Sequence, residues 1–92
     1  MNKKDLIKTV ALEAQLSVED ATKAVNIMLD AVMQSVAVGA EVRLPGFGTF
    51  STRNRAARNG YNMHTGEQIT VPATTVPVFR PGKQFKTAVA GE

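Results

Sequence analysis

Arg53, Arg55 and Arg58 stand at the head of a segment, 53–75, that is almost free of large apolar side chains. A guanidinium presents a planar fork of donors, the shape that pairs with a phosphate through two parallel hydrogen bonds. On an extended strand Arg53 and Arg55 share a side, whereas Arg58 faces the other way unless a bulge intervenes. Such a row can grip a polyanion along its backbone. A ribbon with small side chains also fits a minor groove, where arginine and asparagine read width more than sequence. Met63 lies among the turn formers of 59–66 and has no electrostatic use there. It is either an apolar contact of its own or a tolerated surface methionine.

Other chemistry finds no support. His64 is the one histidine and sits among turn residues, where a solvent-facing side chain is the expectation rather than a base or metal ligand. The acids are scattered over helix faces with no close pair. Gly46-Phe47-Gly48 imitates the start of a glycine-rich nucleotide loop, but the third glycine and the following helix are missing. The chain is expected not to be an enzyme, and to need no cofactor, metal or small-molecule substrate.

The elements that must carry the arginines follow from periodicity. Asn2 can cap a first helix, with Asp5 in its first turn. Leu6, Ile7, Val10, Ala11 and Ala14 form its apolar stripe. After Gln15-Leu16, Ser17 and Asp20 resemble a capping box, with a weak staple between Leu16 and Ala21. Ala21, Ala24, Val25, Met28, Leu29, Val32 and Val36 line one face of a second helix, which Gly39 stops. Residues 1–39 therefore read as a helical hairpin.

Beyond Gly39 the code changes. Val42 and Leu44 alternate with Glu41 and Arg43, Pro45-Gly46 signals a turn, and residues 47–52 resume a strand. Gly48 in mid-strand suggests a bulge or a close backbone approach. Residues 40–52 and 76–82 are assigned to a β-saddle, and 83–90 to a short last helix with Phe85, Ala88 and Val89 inward. Segment 53–75 is either a loose loop or a projecting two-stranded arm. Alternation at Ile69 and Val71 favours the arm, and Pro72 is tolerable because both strands of a ribbon are edges. The fold class is α+β: a helical hairpin, a three-stranded antiparallel sheet with a long two-stranded β-arm, and a C-terminal helix.

With 92 residues there is room for one domain, and 43% apolar content suits a globular fold. The chain has no cysteine and no unbroken apolar run, so a soluble, cytoplasmic protein without membrane span or signal peptide is expected. The net charge of +3 is unevenly spread: residues 1–41 carry four lysines against six acids, residues 42–92 seven bases against two acids. That asymmetry suits a polyanion-facing element on a neutral scaffold. Phe47, Phe50 and Phe79 cannot all turn toward two thin, alanine-rich helices, so a dimer core is expected around them. The alternative is that all three fill one monomeric core.

Four stretches, Leu44-Pro45-Gly46-Phe47-Gly48-Thr49-Phe50, Arg55-Ala56-Ala57-Arg58, Thr65-Gly66-Glu67 and Val76-Pro77-Val78-Phe79-Arg80-Pro81-Gly82-Lys83, carry a resemblance that runs from Asn2 to about Val89. The chain resembles the bacterial HU proteins, histone-like nucleoid proteins related to integration host factor. The resemblance implies an obligate intertwined dimer whose arms wrap double-stranded DNA through the minor groove, without a strong sequence preference, bending and compacting it. It further implies that Lys3, Arg80, Lys83 and Lys86 hold phosphates beside Arg53, Arg55 and Arg58, and that the protein is nucleoid-associated. The family's arm tip typically reads Arg-Asn-Pro-x-Thr-Gly, with the proline wedged between base steps. Here Tyr61, Asn62 and Met63 take those first three places, so methionine becomes the wedge and tyrosine replaces a basic contact. Methionine is flexible where proline is rigid, and a shallower bend is expected. Two other readings are a site-preferring bender like integration host factor, and a protein-interaction dimer whose arms grip a sheet edge; RNA is left open as a further partner.

Overall fold

The computed structural model describes residues 1–91, in two compact units: Met1–Ser35, and the chain from Val36 onward. The first opens with α1 (Lys3–Glu13). Its start is closed by a capping box: Asn2 Oδ1 accepts from the Asp5 N–H at 2.9 Å, and Asp5 Oδ2 accepts from the Asn2 N–H at 3.2 Å. Two otherwise orphaned donors are thereby satisfied. Asn2→Ala should cost about 1 kcal/mol, read as a lowered urea midpoint at unchanged slope. The helix ends at Ala14, and Gln15 turns the chain with φ +55°, so that the Leu16 N–H reaches back to the Ala11 carbonyl at 2.9 Å.

α2 (Val18–Ala37) starts with Ser17 Oγ accepting from the Asp20 N–H at 3.0 Å, one half of the expected box. Of its expected apolar face, Ala21, Val25 and Val36 are buried and Val32 half-buried. Ala24, Met28 and Leu29 are exposed. Ile27 and Ala31 extend these into an exposed apolar row, Ala24, Ile27, Met28 and Ala31, at helical spacing, with Ile27 68% exposed. The helix thus carries more apolar face than a single chain covers.

In the second unit β1 (Val42–Leu44), β2 (Gly48–Arg55) and β5 (Thr74–Pro81) form an antiparallel sheet in the order β1-β2-β5. A tight turn joins the first two, with the Phe47 N–H bonded to the Leu44 carbonyl at 2.9 Å and Gly46 at φ +84°. Only glycine adopts that second central position freely, which is why Pro45-Gly46 could be read as a turn. Between them the chain makes a separate two-stranded antiparallel ribbon from β3 (Arg58–Tyr61) and β4 (Gln68–Val71). α3 (Lys83–Ala90) closes the described chain. Of its expected inward residues only Phe85 is half-buried; Ala88 is exposed and Val89 is 76% exposed. Both still line open grooves beside the rings, Ala88 and Val89 with Phe47 and Phe85, so they face the cluster without being covered by it.

Gly48 approaches its neighbours closely rather than bulging. A Cβ there would lie 2.5 Å from the Phe79 ring and 2.6 Å from the Arg80 carbonyl oxygen, while the register continues unbroken with Gly48 opposite Pro81. The aromatic rings gather at this point. Phe50 and Phe79 are 4.7 Å apart between centroids, and Phe47 lies 5.4 Å from both Phe79 and Phe85. Phe85 of α3 is therefore a member of a cluster expected to hold only Phe47, Phe50 and Phe79.

Candidate nucleic-acid interface

Cross-strand partners in an antiparallel pair project to the same face, and successive residues alternate. The pairs Phe50↔Phe79, Val42↔Phe50 and Leu44↔Gly48 put the rings and aliphatic side chains on one face. The pairs Arg43↔Thr49, Thr49↔Arg80, Ser51↔Val78, Arg53↔Val76 and Arg55↔Thr74 put four arginines and several hydroxyls on the other. The sheet is thus apolar on one side and cationic on the opposite side. On the cationic side an open cavity of about 340 Å³ is lined by Glu41, Ser51, Thr52, Arg53, Val78 and Arg80.

Arg53 and Arg55 belong to β2 and pair with β5 alone, because β1 reaches no further than Phe50, so they stand on the two-stranded stretch that leads from the saddle toward the ribbon of β3 and β4. The ladder with β5 simply runs on past Thr52, because Val76, Thr75 and Thr74 offer extended, β-prone partners. Arg58 opens β3 opposite Val71. Ala56 and Ala57 on one strand, and Pro72 and Ala73 on the other, fall outside both ladders. Pro72 therefore sits where no ladder bond is needed. Two residues on each strand separate the ladders, so the register carries through without a bulge and Arg58 keeps the position alternate to Arg53 and Arg55.

The arm is thin but ordered by its backbone. Gly60, Ile69, Arg58 and Val71 share one face, with the Val71 and Ile69 side chains about 3.6 and 3.8 Å from where a Gly60 Cβ would be. At the tip the Asn62 N–H bonds the Glu67 carbonyl at 2.8 Å and the Gly66 N–H bonds the Asn62 carbonyl at 2.7 Å. Asn62 Oδ1 also accepts from the His64 N–H at 2.9 Å, an Asx turn. Asn62 is thereby half-buried and partly committed to shaping the tip, while Tyr61 and Met63 are exposed, Met63 by 95%. His64 is exposed as expected of a turn residue.

The remaining cations are dispersed. Arg80 is on β5 within the cationic face, Lys83 and Lys86 are exposed on α3, and Lys3 is the first residue of α1 in the other unit. Among the described residues no carboxylate forms an ion pair with Arg53, Arg55, Arg58 or Arg80. Arg43 is different. Its Nε donates to Glu41 Oε1 at 2.7 Å, and this bond and charge, with a further contribution from Arg80, hold the Glu41 carboxyl below its usual range. Arg43 was not among the expected site residues, although the alternation Glu41-Val42-Arg43-Leu44 already opposed it to the apolar face. Among the described residues no group of three or more His, Cys, Asp or Glu could hold a metal ion, and no helix is long and apolar enough to cross a membrane.

A family model described as bacterial DNA-binding protein matches residues 1–90. The chain is 49% identical over 92 residues to DNA-binding protein HU 1 of Bacillus subtilis (strain 168), covering both chains completely. It is also 49% identical to DNA-binding protein HU of Geobacillus stearothermophilus, over 97% of this chain and 99% of that one. Among solved structures, the Anabaena HU–DNA cocrystal structure superposes with a TM-score of 0.97 at 39% identity, covering 100% of each chain. HU from Thermotoga maritima follows with 0.67 at 28% identity, over 97% of this chain and 98% of that one. The arginine-bearing sheet face, the ribbon arm and these end-to-end likenesses agree: the chain belongs to the HU family of bacterial DNA-binding proteins.

Proposed function

We propose that this protein is a histone-like architectural protein that binds double-stranded DNA as a homodimer, with little regard for sequence, and bends it. The observation that carries the reading is the cationic sheet face: Arg53, Arg55 and Arg80 project together with no ion-paired carboxylate among the described residues, and the chain leaves that face as a coreless arm bearing Arg58. Guanidinium groups free of carboxylates keep their full donor forks for phosphate oxygens. Lys83 and Lys86 on α3 and Lys3 on α1 extend the backbone contacts. Tyr61, Asn62 and Met63 at the tip meet the minor groove, where Met63 acts as the apolar wedge.

The dimer is supported by what a single chain leaves uncovered. Among the described residues only Ala11, Ala21, Val25 and Val36 are buried hydrophobic side chains, too few to hold 92 residues together. The exposed apolar row of α2 and the half-exposed Phe47 are the surfaces a two-fold partner would cover. Arms that gripped a protein edge would present β-branched or apolar residues along their flanks, whereas Arg58 stands on the ribbon and Arg53 and Arg55 on the strand that leads into it.

Salt titration tests the function. Neutralising phosphates releases counterions, so log affinity for duplex DNA should fall linearly with log salt, by about 0.9 per phosphate contact. Arg55→Ala and Arg58→Ala should each make that slope shallower by about one unit and weaken all sequences alike. A flat salt response, or strong preference for one sequence, would refute backbone-driven binding.

A further inference from the structure

We infer that Met63 is an oxidation site that switches off bending while leaving the backbone grip in place. The inference rests on the proposed function, since it needs the arm tip to enter the duplex. Met63 is the most exposed of the four methionines and stands at the apex of the arm with its sulfur open to any dissolved oxidant. Met28 and Met33 lie on α2, and Met28 belongs to the apolar row that a second copy would cover. Met1 is also exposed, but it precedes α1 in the other unit and has no part in the arm tip that enters the duplex.

The tip keeps its shape without this side chain. Its turn is held by the Asn62–Glu67, Gly66–Asn62 and His64–Asn62 bonds together with the Glu67 N–H to Thr65 Oγ1 at 3.3 Å, and the thioether takes part in none of them. A change of polarity at Met63 therefore changes what the tip presents and not how it folds. The charged groups of the ribbon, Arg58 and Glu67, are carried by other residues and keep their state through the reaction.

The reaction needs a hydroperoxide as oxidant. A sulfur lone pair attacks the outer peroxide oxygen, the O–O bond breaks as the S–O bond forms, and the displaced oxygen leaves as water or an alcohol after taking a proton. Sulfur is oxidised by two electrons and the peroxide is reduced by two. The flexible apolar side chain becomes a polar sulfoxide. Pressed between base pairs, the new oxygen finds no donor, and an unpaired buried acceptor weakens insertion by about tenfold. The arginines are untouched, so the salt slope stays as it was.

The test uses the whole protein on a gapped duplex labelled for end-to-end energy transfer, before and after hydrogen peroxide, with peptide mass mapping to follow oxygen uptake at each methionine. Met63→Leu supplies an apolar side chain of similar volume that peroxide does not alter. The expected result is that treated parent protein binds about tenfold more weakly with a flattened bend and an unchanged salt slope. Methionine sulfoxide reductase should restore it, and Met63→Leu should bend the duplex equally before and after treatment. Fully converted Met63 that bends DNA as well as untreated protein would overturn the switch alone, as would equal loss of bending by peroxide-treated Met63→Leu. Untreated protein that binds no duplex would instead overturn the proposed function, and the switch with it.

Discussion

Phe47→Ala is expected to lower stability by about 3–5 kcal/mol, the range for emptying a well-packed phenylalanine site. In a single chain that figure would be out of reach. The ring is 45% exposed there, and removing its covered half forfeits only about 1–1.5 kcal/mol at the usual transfer value for such a side chain. A large loss therefore means that a second copy completes the cavity around Phe47, whose neighbours within the chain are Phe79 and Phe85 at 5.4 Å. Urea unfolding of parent and variant at several protein concentrations measures both quantities, because a dimer's midpoint rises with concentration. Sedimentation equilibrium at low micromolar concentration should give twice the chain mass. A folded monomer, or a loss near 1 kcal/mol with no concentration dependence, would remove the dimer from the model.

The second large effect is expected at Gly48. Gly48→Ala places a methyl group 2.5 Å from the Phe79 ring and 2.6 Å from the Arg80 carbonyl oxygen. Backbone cannot yield as a flexible side chain would, so either β5 shifts or the aromatic cluster repacks, at a cost of about 1–3 kcal/mol. Gly60→Ala is the matched control. Its Cβ would meet only the Val71 and Ile69 side chains at ordinary contact distances of 3.6 and 3.8 Å. That change should stay within about 0.5 kcal/mol. Equal unfolding midpoints for the two variants would show that the Gly48 contact is not a constraint.

Local chemistry made parts of this structure legible in advance. The cap at Asn2, the turn at Pro45-Gly46 and the close approach at Gly48 each depend on residues within a few positions, whose types allow little else. Register was harder. Large apolar side chains cease before Arg53, yet strand pairing is a backbone property and β5 carries it on to Arg55, so the sequence does not show where the saddle's ladder stops. Arg43 carries no signal of its own in the sequence beyond its alternation with Val42 and Leu44, and its pairing with Thr49 brings it onto the face of Arg53 and Arg80. Periodicity also marks which helix face is apolar without saying what covers it. Met28, Leu29 and Val89 satisfy the pattern and stay exposed in one chain, since the surface they suit lies outside it. For the site, the arginines announced a polyanion by type and spacing, while only the fold shows that Arg53, Arg55, Arg58 and Arg80 form no ion pair among the described residues.

The gap at Ala56-Ala57 and Pro72-Ala73 has a mechanical consequence. Two ladders end there, and the residues between them contribute no rung to either. Swinging the ribbon about those four residues therefore changes backbone torsions without severing an interstrand hydrogen bond, and Pro72 has no N–H to lose. The stiffness of the arm and the direction in which it points are separate properties. A rotation confined to those four residues would re-aim the ribbon toward helices of different curvature while leaving both ladders paired.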